Sequence, residues 1–106
     1  MPLPSLTALQ FKIIEILLGA TMKGRELRKR LGEAGIELGG PAFYQAMSRL
    51  AQSGFVDIFR SEKEIMETAV VETSYRVNGA GKKAYEETRD FYAPSFKRAR
   101  SLAYGR

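Results

Sequence analysis

At Gly54 the hydrophobic period of the chain changes, and no single element of secondary structure can carry both patterns. Upstream, Phe43, Ala46, Met47 and Leu50 recur at the roughly 3.6-residue period of a helix; from Phe55 onward the alternation has the period of about 2 of a strand. The segment Gly40 to Ser53 therefore reads as an amphipathic helix that runs into a strand without a linker. Pro41 suits its first turn, where a missing N–H costs nothing. Gly54 suits the position just past its end, where a left-handed residue closes a helix. Opposite the apolar face lie Gln45, Ser48 and Gln52, flanked by Tyr44 and Arg49. Short hydrogen-bonding side chains with one Arg and one Tyr equip a helix to read DNA base edges. An ordinary solvated helix can present the same face, so its meaning depends on the elements around it.

Those elements follow from the same kind of pattern. Thr7 and Gln10 have capping-box spacing. The first helix then buries Leu6, Leu9, Ile13 and Leu17, with Ile14 and Ile16 beside them, and Gly19 ends it. A short turn, Ala20 to Lys23, leads to a second helix from about Gly24 to Ala34, stopped by Gly35. Leu27 and Leu31 face inward there, and Arg25 and Lys29 outward. After a loop containing Gly39 and Gly40 comes the reading helix, which gives the two helices in series of a helix-turn-helix. Phe55 to Arg60 and Thr68 to Val77 read as two strands, with Ser61 to Glu67 a long, polar, floppy tip. A lone hairpin is marginal in water and must pack on the helices. Asn78 is a good N-cap for a last helix, in which Ala84, Tyr85, Thr88, Phe91 and Tyr92 recur at helical spacing. Pro94 is expected to break or kink it, with Ser95 capping a short continuation through Phe96. The expected fold is mainly α with a small β-hairpin: a winged helix-turn-helix of three helices, a two-stranded antiparallel wing and a C-terminal helix. The expected division is a DNA-binding domain over residues 1–78 and a dimerisation helix with a basic tail over residues 79–106.

Composition narrows the chemistry. The 106 residues contain no Cys and no His, which removes disulfides, thiolate metal sites and the commonest general base together. No metal, cofactor or catalytic constellation is expected, and an enzyme is the least favoured class. The run Ile13 to Leu18 is too short to span a bilayer, and nothing at the start resembles a signal peptide, so a cytoplasmic protein with no membrane partner is expected. The net charge is +5 and the pI about 9.7. The positive charge is clustered, at Lys23, Arg25, Arg28, Lys29 and Arg30 and again at Lys97, Arg98, Arg100 and Arg106. Clustering of this kind points to an anionic partner, with nucleic acid first, although a solvated helix face can look the same. Gly79-Ala80-Gly81-Lys82-Lys83-Ala84 matches a dinucleotide fingerprint in form, but too little chain follows for the second strand and acidic residue that such a fold requires.

With these elements in order, the sequence resembles the PadR-like transcriptional regulators over about residues 6–92. The resemblance rests on Pro41-Ala42-Phe43-Tyr44, then Met47, Arg49-Leu50 and Gly54-Phe55-Val56, and on Tyr75-Arg76-Val77-Asn78-Gly79-Ala80-Gly81 at the step from strand to last helix. Gly24 also sits where the family's second helix carries a glycine, whereas Pro41 and Asn78 replace its usual Gly and Thr. The resemblance implies a cytoplasmic DNA-binding repressor that dimerises through C-terminal helices. It also carries over Ala42, Tyr44, Gln45, Ser48 and Arg49 as DNA-facing positions. The better-known members have a longer C-terminal domain for dimerisation and effector binding. In this chain one helix and a basic tail stand there, and nothing points to a small-molecule effector.

The candidate DNA contacts are therefore Ala42, Tyr44, Gln45, Ser48, Arg49 and Gln52 on the third helix, with Lys23, Arg25 and Lys63 as candidate phosphate contacts. Lys29 and Arg60 are further options. Gln suits adenine and Arg suits guanine in the major groove. Tyr44 can be read either as a DNA contact or as a half-buried core tyrosine with only its hydroxyl exposed. Glu62, Glu64 and Glu67 outnumber Lys63 at the wing tip and argue against a strong wing contact with phosphate. Tyr85, Thr88, Phe91, Tyr92 and Phe96 are the candidate dimerisation residues, against the alternative that this stripe packs within the chain on Leu6 and Phe11. A second functional class is a winged-helix protein-interaction module that docks a partner through the aromatic C-terminal helix. Modest net charge and an acidic wing motivate it.

Overall fold

The computed structural model describes the backbone of residues 6–103 and the side chains of residues 6–92. Phe96 and the basic cluster of Lys97, Arg98, Arg100 and Arg106 thus lie outside the described side chains. The elements are α1 (Ala8–Leu17), β1 (Met22–Lys23), α2 (Gly24–Glu33), α3 (Gly40–Gln52), β2 (Val56–Ile65), β3 (Thr68–Val77) and α4 (Gly79–Ala103). The capping box opens α1 as its spacing predicts: the Gln10 N–H donates to Thr7 Oγ1 at 3.2 Å and the Thr7 N–H to Gln10 Oε1 at 3.0 Å. Its stripe of Ile13, Ile14 and Leu17 is buried, while Leu9 and Ile16 are partly buried at the edge of the core. The helix stops at Leu17, ahead of the expected Gly19.

Two helix ends use the same device. At the end of α3 the Gly54 N–H donates to Ala51 O at 3.0 Å and the Phe55 N–H to Leu50 O at 3.1 Å. That pair of bonds is the Schellman motif, and Gly54 adopts the φ of +80° that it demands. At the end of α2, Gly35 and Ile36 close on Gly32 and Leu31 in the same pattern. The buried faces are Leu27 and Leu31 on α2, and Phe43, Met47 and Leu50 on α3. They meet α1, Met22, Val56, Tyr75, Val77 and Ala84 in one core.

Three expectations need correction. Ala20 to Lys23 is not only a turn: Met22 and Lys23 form a short strand opposite Tyr75 and Ser74, making a three-stranded antiparallel sheet in the order β1-β3-β2. Two residues are too few to show an alternation, but Met22 fills the core and Lys23 faces outward. Ser61 to Glu67 is not a floppy tip. Strand β2 runs on to Ile65, pairs with Thr68, and turns through Met66 and Glu67 at φ of 51° and 64°. Two left-handed central residues are the geometry of a tight primed hairpin turn, normally signalled by Asn-Gly. Finally, α4 is helical from Gly79 to Ala103, so of the break or kink expected at Pro94 the break does not occur.

The start of α4 is locked to the end of α3. Asn78 caps it, with the Gly81 N–H donating to Asn78 Oδ1 at 2.9 Å. The Asn78 side-chain amide donates to Gly54 O at 2.9 Å, and the Asn78 N–H donates to Phe55 O at 3.1 Å. Gly81 sits so close that a Cβ there would collide with Phe55 O and lie 2.6 Å from Val77 Cγ2. Gly81→Ala is therefore expected to destabilise the chain by at least about 2 kcal/mol, since overpacking against backbone has no flexible atom to yield. Gly79→Ala, with open space around its Cβ position, is expected to change stability by less than about 1 kcal/mol. Urea unfolding of both variants checks the contrast.

Candidate nucleic-acid interface

The packing of α3 decides which of its side chains are available. Phe43, Met47 and Leu50 are essentially inaccessible, so Ala42, Tyr44, Gln45, Ser48, Arg49 and Gln52 are turned to solvent. All six positions expected on the reading face are exposed. Tyr44 is 59% exposed, so it is not a half-buried core tyrosine. Its ring rests edge-on against Phe43 at 5.7 Å between centroids, which leaves the hydroxyl end free. Arg49 forms no ion pair among the described residues.

A basic crevice flanks α3 on its Tyr44 side. Arg25 borders three adjoining grooves. One is shared with Lys23, Lys29 and Arg30; one with Arg28, Lys29 and Tyr44; and one with Lys23, Tyr44, Glu72 and Tyr75. Arg25 and Lys29 are exposed and have no ion-pair partner among the described residues. Arg28 is committed elsewhere. Its guanidinium lies over the Phe43 ring at 5.8 Å and donates to Leu38 O at 3.2 Å, tying the α2–α3 loop to the core. Tyr75 floors the crevice, and burial, with the neighbouring Tyr44 second, pushes its phenol above the usual tyrosine value.

The two lysines expected on phosphates are paired within the chain. Lys23 Nζ lies 3.2 Å and Lys63 Nζ 3.4 Å from the same Glu72 Oε2. The contact with Lys23, reinforced by Lys63 against an opposing desolvation, holds the Glu72 carboxyl below the usual carboxylate range. The outer half of the wing is exposed along its whole length, with Ile65, Met66, Val70 and Val71 among its uncovered side chains. Sequence patterning placed Val70 and Val71 on the second strand but left Ile65 and Met66 in the tip, where no buried residue marks a face.

The aromatic stripe of α4 divides. Tyr85 stacks on Phe11 at 4.6 Å and its hydroxyl donates to Glu15 Oε2 at 3.3 Å; burial first, and the Glu15 carboxylate second, push its phenol above the usual tyrosine value. Thr88 is buried and its hydroxyl donates to Ala84 O at 2.8 Å. Both thus make contacts inside the chain, Tyr85 packing on Phe11 as the alternative reading had it. Phe91 and Tyr92 remain further along, with Tyr92 50% exposed. Among the described residues no group of side chains is placed to hold a metal ion, and no helix is long and apolar enough to cross a membrane.

Three helices, a short strand and a two-stranded wing define a winged helix-turn-helix domain. No protein-family model and no curated protein sequence matches the chain. Solved structures do. A PadR family transcription regulator from Clostridium difficile is 17% identical with a TM-score of 0.72, over 92% of this chain and 98% of that one. A PadR-like transcription factor from Bacteroides fragilis is 15% identical with a TM-score of 0.72, over 89% of this chain and 88% of that one. Bacillus subtilis PadR, in a structure with operator DNA, is 18% identical with a TM-score of 0.64, over 76% of this chain and 46% of that one. The chain has the PadR-like winged-helix fold.

The separation of core and reading faces on α3 makes a direct prediction. Phe43→Ala should cost about 3–5 kcal/mol of stability, as for a large aromatic removed from a core. Gln45→Ala and Arg49→Ala should stay within about 0.5 kcal/mol of the parent, as exposed positions do. Thermal unfolding of the three variants checks this.

Proposed function

We propose that the chain is a sequence-specific DNA-binding transcription regulator, a repressor that acts as a homodimer with α3 in the major groove. The observation that carries the reading is the exposed polar face of α3 beside a crevice in which Arg25 and Lys29 have no ion-pair partner among the described residues. Gln45 and Arg49 would meet base edges, the commonest pairings being Gln with adenine and Arg with guanine. Ser48, Gln52, Ala42 and Tyr44 would line the same groove. Arg25, with Lys23 and Lys63, would meet phosphates, which position the helix but carry no sequence information.

The likeness to a structure of PadR with operator DNA supports the DNA partner. The dimer rests on a different argument. One reading helix of 13 residues covers only a few base pairs, and a two-fold dimer offers a second copy to a second half-site. Phe91, Tyr92 and Phe96, on α4 beyond its contact with α1, are the residues proposed to join two copies. Half-sites should then lie about 34 Å apart, one turn of B-DNA.

The test is selection of bound sequences from a random duplex library, followed by anisotropy titrations across a salt series. A pseudo-palindromic consensus and affinity falling steeply with salt are expected. No sequence preference, or a flat salt response, would overturn the reading. Arg49→Ala should relax preference at one base pair per half-site at a cost of about 1–3 kcal/mol, with the salt slope nearly unchanged.

A further inference from the structure

Glu72 stands on the middle strand of the sheet with a lysine from each neighbouring strand beside it. Lys23 on β1 lies opposite Ser74, two residues along β3 from Glu72 in one direction. Lys63 on β2 lies opposite Val70, two residues in the other. Residues two apart on a strand share a face, so the three form a diagonal row of alternating charge across all three strands. Both ammonium groups converge on one oxygen, Glu72 Oε2, at 3.2 Å and 3.4 Å. The row is not remote from the reading helix, because Lys23 and Glu72 border the groove that Tyr44 and Arg25 also line.

We propose that Glu72 is a built-in competitor for phosphate, which holds Lys23 and Lys63 back from nucleic acid and lowers the sequence-independent part of binding. This rests on the DNA-binding function proposed above. The charge of the row decides the size of the effect. Two lysines and one glutamate carry a net charge of one, so the row displaces the counterions of one phosphate rather than two. Exposed ion pairs are weak, so a phosphate can take a lysine from Glu72. The freed carboxylate then stands beside the DNA backbone and opposes the contact just made. Specific recognition, which depends on Gln45 and Arg49, is left to stand out over a reduced electrostatic background.

The experiment uses the full chain and a short random-sequence duplex, followed by fluorescence anisotropy across a NaCl series, so no operator need be known. Glu72→Gln should steepen the slope of log affinity against log salt by about one, the increment for one further phosphate neutralised, and tighten binding about five- to tenfold at 0.1 M salt. Glu64→Gln makes the same charge change on the same wing away from the lysine row, and should shift the slope much less. Adding Lys23→Ala and Lys63→Ala to Glu72→Gln should remove the gain. A Glu72→Gln protein with the parent's slope, a loss of affinity from a loosened wing, an equal effect of Glu64→Gln, or a gain that survives without the lysines each overturns the proposal. If the parent chain shows no salt-dependent duplex binding, the proposed function itself fails; if it binds and Glu72→Gln does not differ, only the role of Glu72 fails.

Discussion

The structure turns on two backbone carbonyls, those of Gly54 and Phe55. Helix α3 ends there, and a helix end leaves polar groups that must find partners. Gly54 O accepts the side-chain amide of Asn78, and Phe55 O accepts its backbone N–H. The same asparagine then caps α4 through Gly81. One residue thus satisfies the exit of the reading helix and the entrance of the C-terminal helix. Asn78 also donates to Asp57 Oδ1 at 3.2 Å, and Asp57 pairs with Arg76 at 3.6 Å, so the root of the wing joins the same network. The missing side chain at Gly81 is what allows the backbones to approach. The angle between α3, the wing and α4 is therefore fixed by a polar joint as well as by the core.

What the sequence revealed and what it concealed follow from burial. The helices were legible because each has one face in a shared core, and periodicity records that face directly. The capping box at Thr7, the glycine at 54 and the cap at Asn78 were legible because each is a local chemical signal within a few residues. The outer half of β2 was not. From Ser61 to Ile65 both faces meet solvent, so no alternation marks the strand, and Met66-Glu67 does not spell its turn. Strand β1 is held by pairing with a segment some 50 residues away, which no local pattern reports. The candidate site divides in the same way. The exposure of Gln45, Ser48 and Arg49 follows from the position of the apolar face of α3. The capture of Lys23 and Lys63 by Glu72 depends on strand order, which could not be read before β1 was known.

Charge is divided unevenly between the elements. The second helix gathers cations and leaves Arg25 and Lys29 unpaired, while the wing is acidic and consumes its own lysine. A winged helix that relied on its wing for phosphate contacts would be expected to have the opposite arrangement. Here the unpaired cations lie on α2 and the exposed polar side chains on α3. Those two elements are adjacent, joined by a loop that Arg28 pins through Leu38 O. The basic helix and the polar face of α3 are thus packed as one body.

That body has a single rotational setting, and Phe43 determines it. Its ring is fully buried, met edge-on by Tyr44 at 5.7 Å and Tyr75 at 6.0 Å, and covered by the Arg28 guanidinium at 5.8 Å. Each neighbour comes from a different part of the site: the reading helix, the floor of the crevice and the basic helix. Successive residues of a helix are about 100° apart, so turning α3 by one residue would expose Phe43 and bury Tyr44 or Ala42 in its place. The cost of exposing a phenylalanine, about 1.5–3 kcal/mol before any cavity is counted, exceeds what any solvent-facing contact on α3 could return. The polar face is held toward solvent by the core residues behind it. Pre-organisation of that kind is what a base-reading helix needs, since a side chain that must first be ordered spends its hydrogen bond on its own entropy.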